Sequence, residues 1–146
     1  MGMTLVALAI GTGLIAIVGL VHHHALAGLG RLAPDPDTAA TGAIQTTFVS
    51  LVLLHVAEIL TFSAANGILL AWDGFGGAKA DPLGAADIIY LTGVNFTTLG
   101  YAQIKLTGDL RIVTMLQALG GFMLLTWSAT YLFSVCQKSW QRNERE

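Results

Sequence analysis

The chain has 146 residues, of which 54% are hydrophobic and only 11% are charged, and its formal net charge is -2. A soluble protein carries about 25% charged residues, so much of this chain's surface must face lipid or other apolar chains. The slightly negative charge excludes a nucleic-acid partner and a polybasic lipid-binding patch. The length allows one domain. The chain holds no serine triad that we can place, no phosphate-binding glycine loop and no paired carboxylates in its apolar spans, so we predict that the protein is not an enzyme.

Three apolar stretches are long enough to cross a bilayer, whose core takes about 20 apolar residues as a helix. The first runs from about Met3 to Leu29 and contains several glycines, at which membrane helices can approach one another closely. It lacks a basic n-region and a clean small-residue cleavage site. We therefore interpret it as a retained span and not as a signal peptide.

Three consecutive histidines, His22, His23 and His24, stand near the end of the first span. Consecutive residues of a helix point about 100° apart, so the three cannot share one metal ion within one chain. An oligomer axis could still gather one histidine from each subunit around a metal ion. The interpretation we favour is interfacial histidines close to the lipid head groups.

The second span, from about Thr41 to Trp72, carries Glu58 near its centre. A charged carboxylate at mid-membrane costs about 2.5–3.5 kcal/mol, so we predict that Glu58 is protonated, paired or turned toward protein. His55 lies one turn earlier on the same helical face, and Asn66 returns near that face. We favour a structural polar pair of His55 and Glu58. The alternative is a proton-sensitive element or half of a metal site. We place it second because one His and one Glu are too few ligands to hold a metal ion.

A loop over residues 72–84 precedes a short apolar helix, Ala85 to Thr97, whose length suits a re-entrant or buried helix and not a crossing. Asp87 in its first turn complements the positive helix N-terminus. A polar return, residues 103–109, leads into the third span, Leu110 to about Gln137. One stripe of this span holds Thr114, Gln117, Gly121, Leu124, Ser128 and Tyr131.

Three spans place the two ends of the chain on opposite sides of a membrane. The positive-inside rule compares the basic residues of the two sides and puts the first loop and the C-terminus in the cytoplasm and the N-terminus outside. The two groups are Arg31, Lys138, Arg142 and Arg145 on one side and Lys79, Lys105 and Arg111 on the other.

Between the short helix and the return stands the sequence NFTTLGYA, residues 95–102. The order of span, loop, short helix, TTLGY, return and glycine-containing span resembles the pore module of tetrameric potassium channels. More narrowly, residues 43–140 resemble small bacterial two-pore-domain-type, or ion-transport-2, channel proteins. The resemblance implies an all-α integral membrane protein with three transmembrane helices, a re-entrant pore helix and a filter-like loop, assembled as a homotetramer in a bacterial inner membrane.

The resemblance also implies roles for individual residues. The filter would bind potassium or other monovalent cations as transported ions, without a cofactor, at Thr98, Leu99, Gly100, Tyr101 and Ala102. Thr98 would supply a hydroxyl, and Leu99, Gly100 and Tyr101 would supply carbonyls, with the side chains of Leu99 and Tyr101 packed outward against the short helix. Pore-helix and mouth positions would be Asp87, Thr97 and Gln103, and the hinge of the inner helix would be Gly120 and Gly121. Independently of the resemblance, any gating must come from the spans, and our two hypotheses are a bend at Gly120 and Gly121 or protonation at His55 and Glu58.

Two positions depart from the family pattern. Ala102 replaces the second filter glycine, where a left-handed backbone costs an L-residue about 1–2 kcal/mol per chain. Gln103 stands where the family carries an acidic residue that concentrates cations at the mouth. The sequence therefore predicts intact deep ion sites and an altered outer filter.

Three functional hypotheses follow. The leading one is a tetrameric cation channel with altered selectivity, and the second is a non-conducting accessory subunit of another membrane complex that keeps the channel fold. The third is a membrane metal-binding protein that uses His22, His23, His24, His55 and Glu58. We predict an added N-terminal helix and cytoplasmic loop over residues 1–42, the pore module over 43–140 and a charged cytoplasmic tail over 141–146.

Overall fold

The computed structural model describes residues 1–35, 39–79, 83–100 and 104–143. Three of the helices in these ranges are long and apolar enough to cross a membrane, which confirms the three predicted spans. The predicted short helix between the second and the third span is also present. The elements, in chain order, are α1 (Gly2–Leu32), α2 (Ala40–Leu70), β1 (Gly76–Lys79), α3 (Ala85–Phe96), β2 (Lys105–Gly108) and α4 (Leu110–Asn143).

Helices α1 and α4 run in the same direction, side by side. The hydroxyl of Thr4, in the first turn of α1, donates a hydrogen bond to Asp109 Oδ1 just before α4 begins (3.1 Å). Further along, Gly11 of α1 lies against Leu116 of α4. Helix α2 runs antiparallel to both, since its C-terminal Leu69 packs in one cluster with Ala7 near the start of α1.

Small residues allow α1 and α4 to approach closely, as membrane helices do in general. A Cβ added to Gly11 would lie 2.6 Å from Leu116 Cδ1, and one added to Gly120 would lie 2.8 Å from Ile15 Cγ1. Gly13, by contrast, has nothing within 4 Å of such a Cβ. The first helix is therefore packed into the bundle through one glycine-bearing face.

A two-stranded antiparallel ribbon, β1 with β2, joins the segment before α3 to the segment after the filter loop, with Gly76 opposite Gly108 and Lys79 opposite Lys105. The sequence predicted a loop and a polar return here, so the ribbon corrects that prediction. Gly108 has a φ of 65°, and a Cβ there would lie 2.7 Å from the Cα of Gly76. Glycine permits both the left-handed backbone and the close strand contact.

Phe75 anchors the ribbon to the bundle. Its side chain is fully buried with Leu110 and Val113 at the start of α4. Its carbonyl accepts hydrogen bonds from the amides of Asp109 (2.9 Å) and Leu110 (3.3 Å). The re-entrant segment thus leaves and rejoins the bundle at a single point.

The short helix α3 begins where the sequence predicted it. The amide of Gly84 donates to Asp87 Oδ2 (2.9 Å), so Asp87 caps the helix as well as complementing its N-terminal charge. The helix ends at Phe96, whose ring lies in a buried cluster with Val18, Phe62 and Leu124. Helix α3 therefore reaches into the centre of the bundle.

Two predicted domain boundaries fall inside helices. Helix α2 begins at Ala40, before the predicted start of the pore module at residue 43. Helix α4 continues to Asn143, into the predicted tail, and residues 144–146 lie outside the described ranges.

Candidate functional site

The end of α3 presents a short loop, Thr97 to Gly100, to the outside of the single chain. Three consecutive amides stay bonded to α3: Thr97 to Gly93 O (3.0 Å), Thr98 to Asn95 O (3.0 Å) and Leu99 to Val94 O (3.1 Å). The loop is thus built as an extension of the helix end. Tyr101, Ala102 and Gln103, to which the sequence assigned the outer filter and mouth, lie outside the described residues.

The backbone of this loop is left-handed at two positions. Gly100 has a φ of 68°, and Thr98 has a φ of 57°, the one positive value at a non-glycine residue in the described ranges. For a β-branched side chain this is a true outlier, with a cost of about 1–3 kcal/mol. Such strain gathers at functional sites, where it fixes backbone groups in unusual directions.

All four loop residues are exposed in the single chain, and the side chain of Leu99 is 74% exposed. The predicted packing of Leu99 against α3 is therefore wrong for the isolated chain. Non-helical backbone at membrane depth is tolerated only where it is buried in protein or lines water. At membrane depth such an exposed loop requires a second protein chain or water beside it.

The end of α3 is held by its contacts with α2 and α4. The ring of Phe96 lies 6.1 Å from that of Phe62 and 5.8 Å from that of His55, measured between centroids. A Cβ on Gly121 would collide with the backbone carbonyl of Phe96 and lie 2.9 Å from its carbonyl carbon. Gly121 is thus a contact glycine. Helix α4 is continuous through Gly120 and Gly121, and the hinge role of these glycines stays a prediction.

A buried amide network connects α2, α3 and α4. Asn66 Nδ2 donates to Gln117 Oε1 (3.0 Å) and to Thr92 Oγ1 (3.0 Å), and Gln117 Nε2 donates back to Asn66 Oδ1 (2.9 Å). Each of the three side chains is 1% exposed. The sequence placed Asn66 near the His55–Glu58 face, whereas the structure pairs it with the polar stripe of α4.

Replacing Gln117 with leucine should lower the free energy of unfolding by about 1–2 kcal/mol, since it leaves a buried amide of Asn66 without its partner. Gln137→Leu is the matched control, because Gln137 is exposed on the same helix. Reversible unfolding in detergent measures both variants. Equal losses for the two would contradict a stabilising role of the network.

Glu58 is the centre of a second polar cluster, which joins α1 to α2. His22 Nδ1 is hydrogen-bonded with Glu58 Oε1 (2.7 Å), and His55 Nδ1 is hydrogen-bonded with Glu58 Oε2 (2.8 Å). Ser128 Oγ of α4 lies 3.4 Å from His22 Nε2. The prediction that Glu58 is paired and turned toward protein is confirmed, and His22 is a partner that the sequence did not identify.

The three consecutive histidines separate in the structure. His22 is fully buried, whereas His23 and His24 are exposed. The buried position of His22 differs from the interfacial one predicted for all three residues. It also confirms that the triplet does not converge on one point within a chain.

Comparison with known proteins gives one family. A family model described as an ion channel matches residues 58–138, more than half of the 146-residue chain. The match covers the second part of α2, the ribbon, α3 and most of α4, and it leaves out α1. No curated protein and no solved structure gives a significant match to the chain.

Proposed function

The chain belongs to this ion-channel family and is a multi-pass membrane protein, and we propose that four copies surround a central pore that conducts potassium-like monovalent cations. The observation that carries the proposal is the loop from Thr97 to Gly100. It is exposed, left-handed at Thr98 and Gly100, and built on the end of a short helix that lies inside the bundle. A fourfold ring would cover that loop with its own copies.

The proposed conduction path uses backbone oxygens. Carbonyls of Thr98, Leu99 and Gly100, with the Thr98 hydroxyl, would replace the water shell of a cation on the axis. The C-terminal end of α3 carries partial negative charge and would stabilise a cation in the cavity below the loop. The backbone of Phe96 lies directly against Gly121 of α4, and this contact fixes the position of the helix end within the bundle.

Two further parts of the proposal concern the ion selectivity of the pore and the membrane in which the protein lies. Ala102 and Gln103 would leave the outermost ion site weak and the mouth without its acidic ring, so discrimination among monovalent cations would be reduced. The protein would lie in a bacterial inner membrane with its C-terminus in the cytoplasm.

Cation flux into liposomes that contain the purified tetramer tests conduction. We expect a leak above that of empty vesicles, reduced at least about tenfold by Gly100→Ala, because even 1.4 kcal/mol of backbone strain is a factor of ten. Gly74→Ala is the matched control, since Gly74 also has a positive φ (79°) and open space around an added Cβ but lies outside the loop from Thr97 to Gly100. Tetramers that leak no more than empty vesicles would contradict the proposal.

A non-conducting accessory subunit is the second candidate, and the substitutions at Ala102 and Gln103 favour it. In that case the protein should co-purify with a stoichiometric membrane partner. Ala102→Gly should then create a cation leak that the natural chain lacks, because glycine restores a backbone that L-residues resist. A leak equal in the natural chain and in this variant would rule the candidate out.

A further inference from the structure

The cluster of His22, His55 and Glu58 has the composition of a metal site and takes no part in the proposed conduction path. One potential ligand atom from each of the three side chains lies within 4.8 Å of the others. The cluster joins two helices, since His22 belongs to α1 and the other two residues to α2. His22 supplies the third ligand that the pair of His55 and Glu58 lacked in the sequence.

Burial makes the charge of Glu58 costly unless it is compensated. Its side chain is 3% exposed, and in the part of the chain that the structure describes its ion pairs are with the two imidazoles. An isolated buried carboxylate is strongly disfavoured in an apolar interior. A divalent cation bound between the three side chains would supply this compensation without protonating either histidine.

The donor set suits a transition metal of the zinc class. Two imidazole nitrogens and one carboxylate oxygen are ligands that zinc takes in protein sites with an open fourth position. A histidine that binds a metal usually donates its other ring N–H to a neighbouring oxygen. Ser128 Oγ, 3.4 Å from His22 Nε2, is placed to accept that bond when Nδ1 faces the metal.

We propose that His22, His55 and Glu58 bind one divalent transition-metal ion per chain, which fastens α1 to the pore module. The ion would take the place of the two Nδ1–carboxylate hydrogen bonds, and each neutral imidazole would then carry its single proton on Nε2, so that binding through Nδ1 needs a change of tautomer and no net loss of protons. Since the ring of His55 also contacts Phe96, the ion lies directly behind the end of α3.

Binding of Co²⁺ to the purified, chelator-stripped oligomer tests the site without any measurement of flux, so its result is independent of conduction. We expect one Co²⁺ per chain with ligand-field absorption. His22→Asn, which keeps a donor near the position of Nδ1, and Glu58→Gln should each weaken binding more than about 100-fold, beyond the usual cost of losing an outer-shell partner. The double variant His23→Asn/His24→Asn should bind as the natural chain does, because both residues are exposed.

The site would be overturned if the folded natural chain bound no Co²⁺. It would also be overturned if Co²⁺ binding were lost in the double variant His23→Asn/His24→Asn but retained in His22→Asn. A measurement on the natural chain alone covers the case in which the variants do not fold. X-ray absorption at the zinc edge of Zn²⁺-loaded protein should show two imidazole nitrogens and at least one oxygen. A shell without imidazole would equally overturn the site.

Discussion

Replacing Gly121 with alanine is expected to lower the free energy of unfolding by about 2 kcal/mol and to reduce cation flux. The added methyl group would overlap the backbone carbonyl of Phe96, and backbone cannot rotate away as a flexible side chain can. Overpacking a core costs about 1–3 kcal/mol, and only part of this is offset by the better helix propensity of alanine. The end of α3, and with it the loop, would be displaced from α4.

Gly13→Ala is the control for Gly121→Ala. Nothing lies within 4 Å of a Cβ at Gly13, so the same substitution in a membrane-spanning helix should stabilise by up to about 1 kcal/mol. Unfolding in detergent gives the two free energies, and liposome flux gives the functional loss. Effects of the same sign at both positions would show that Gly121 is not a contact glycine.

The second large effect is expected from His22→Leu, which should lower the free energy of unfolding by about 3 kcal/mol. The variant removes one partner of a buried ion pair and leaves Glu58 with only His55, whose side chain is 15% exposed. Losing one member of a buried pair costs about 3–5 kcal/mol, and we expect the lower end because one imidazole remains.

His24→Leu serves as the neutral comparison, because His24 is exposed two positions further along α1. The double variant His22→Leu/Glu58→Leu should recover most of the loss, since apolar residues often replace a buried ion pair without a net cost. A double variant less stable than His22→Leu would mean that Glu58 contributes through something other than this pair.

Apolar length and helical periodicity were sufficient to predict the helices. The three spans and α3 follow from runs of known length and from Asp87 in a first turn. The stripe on α4 was also predictable, because residues three and four apart share a face, and most of its members are buried: Thr114, Gln117, Gly121, Leu124 and Ser128.

The ribbon was not predictable for a physical reason. β1 has the sequence GGAK, which lacks the β-branched alternation typical of a strand. Its partner β2 comes only after α3 and the filter loop, so no short hairpin turn marks the pairing. Backbone hydrogen bonding and close glycine contact create the ribbon, and neither leaves a strong pattern of side chains.

The partners of the buried polar residues depend on which helix passes at each depth. His22 and Glu58 are 36 positions apart on different helices, so periodicity within one helix cannot relate them. Asn66 lies about 12 Å along α2 from Glu58, at 1.5 Å per residue. At that depth its neighbours are α3 and α4, which explains its pairing with Thr92 and Gln117.

A density map of the purified assembly tests the central claim, that this chain forms a fourfold cation pore. We predict four subunits, with the loops from Thr98 to Gly100 facing one another across the axis and cation density between their carbonyls. An assembly whose loops face lipid or a different protein, with no axial density at Thr98 to Gly100, would contradict the claim.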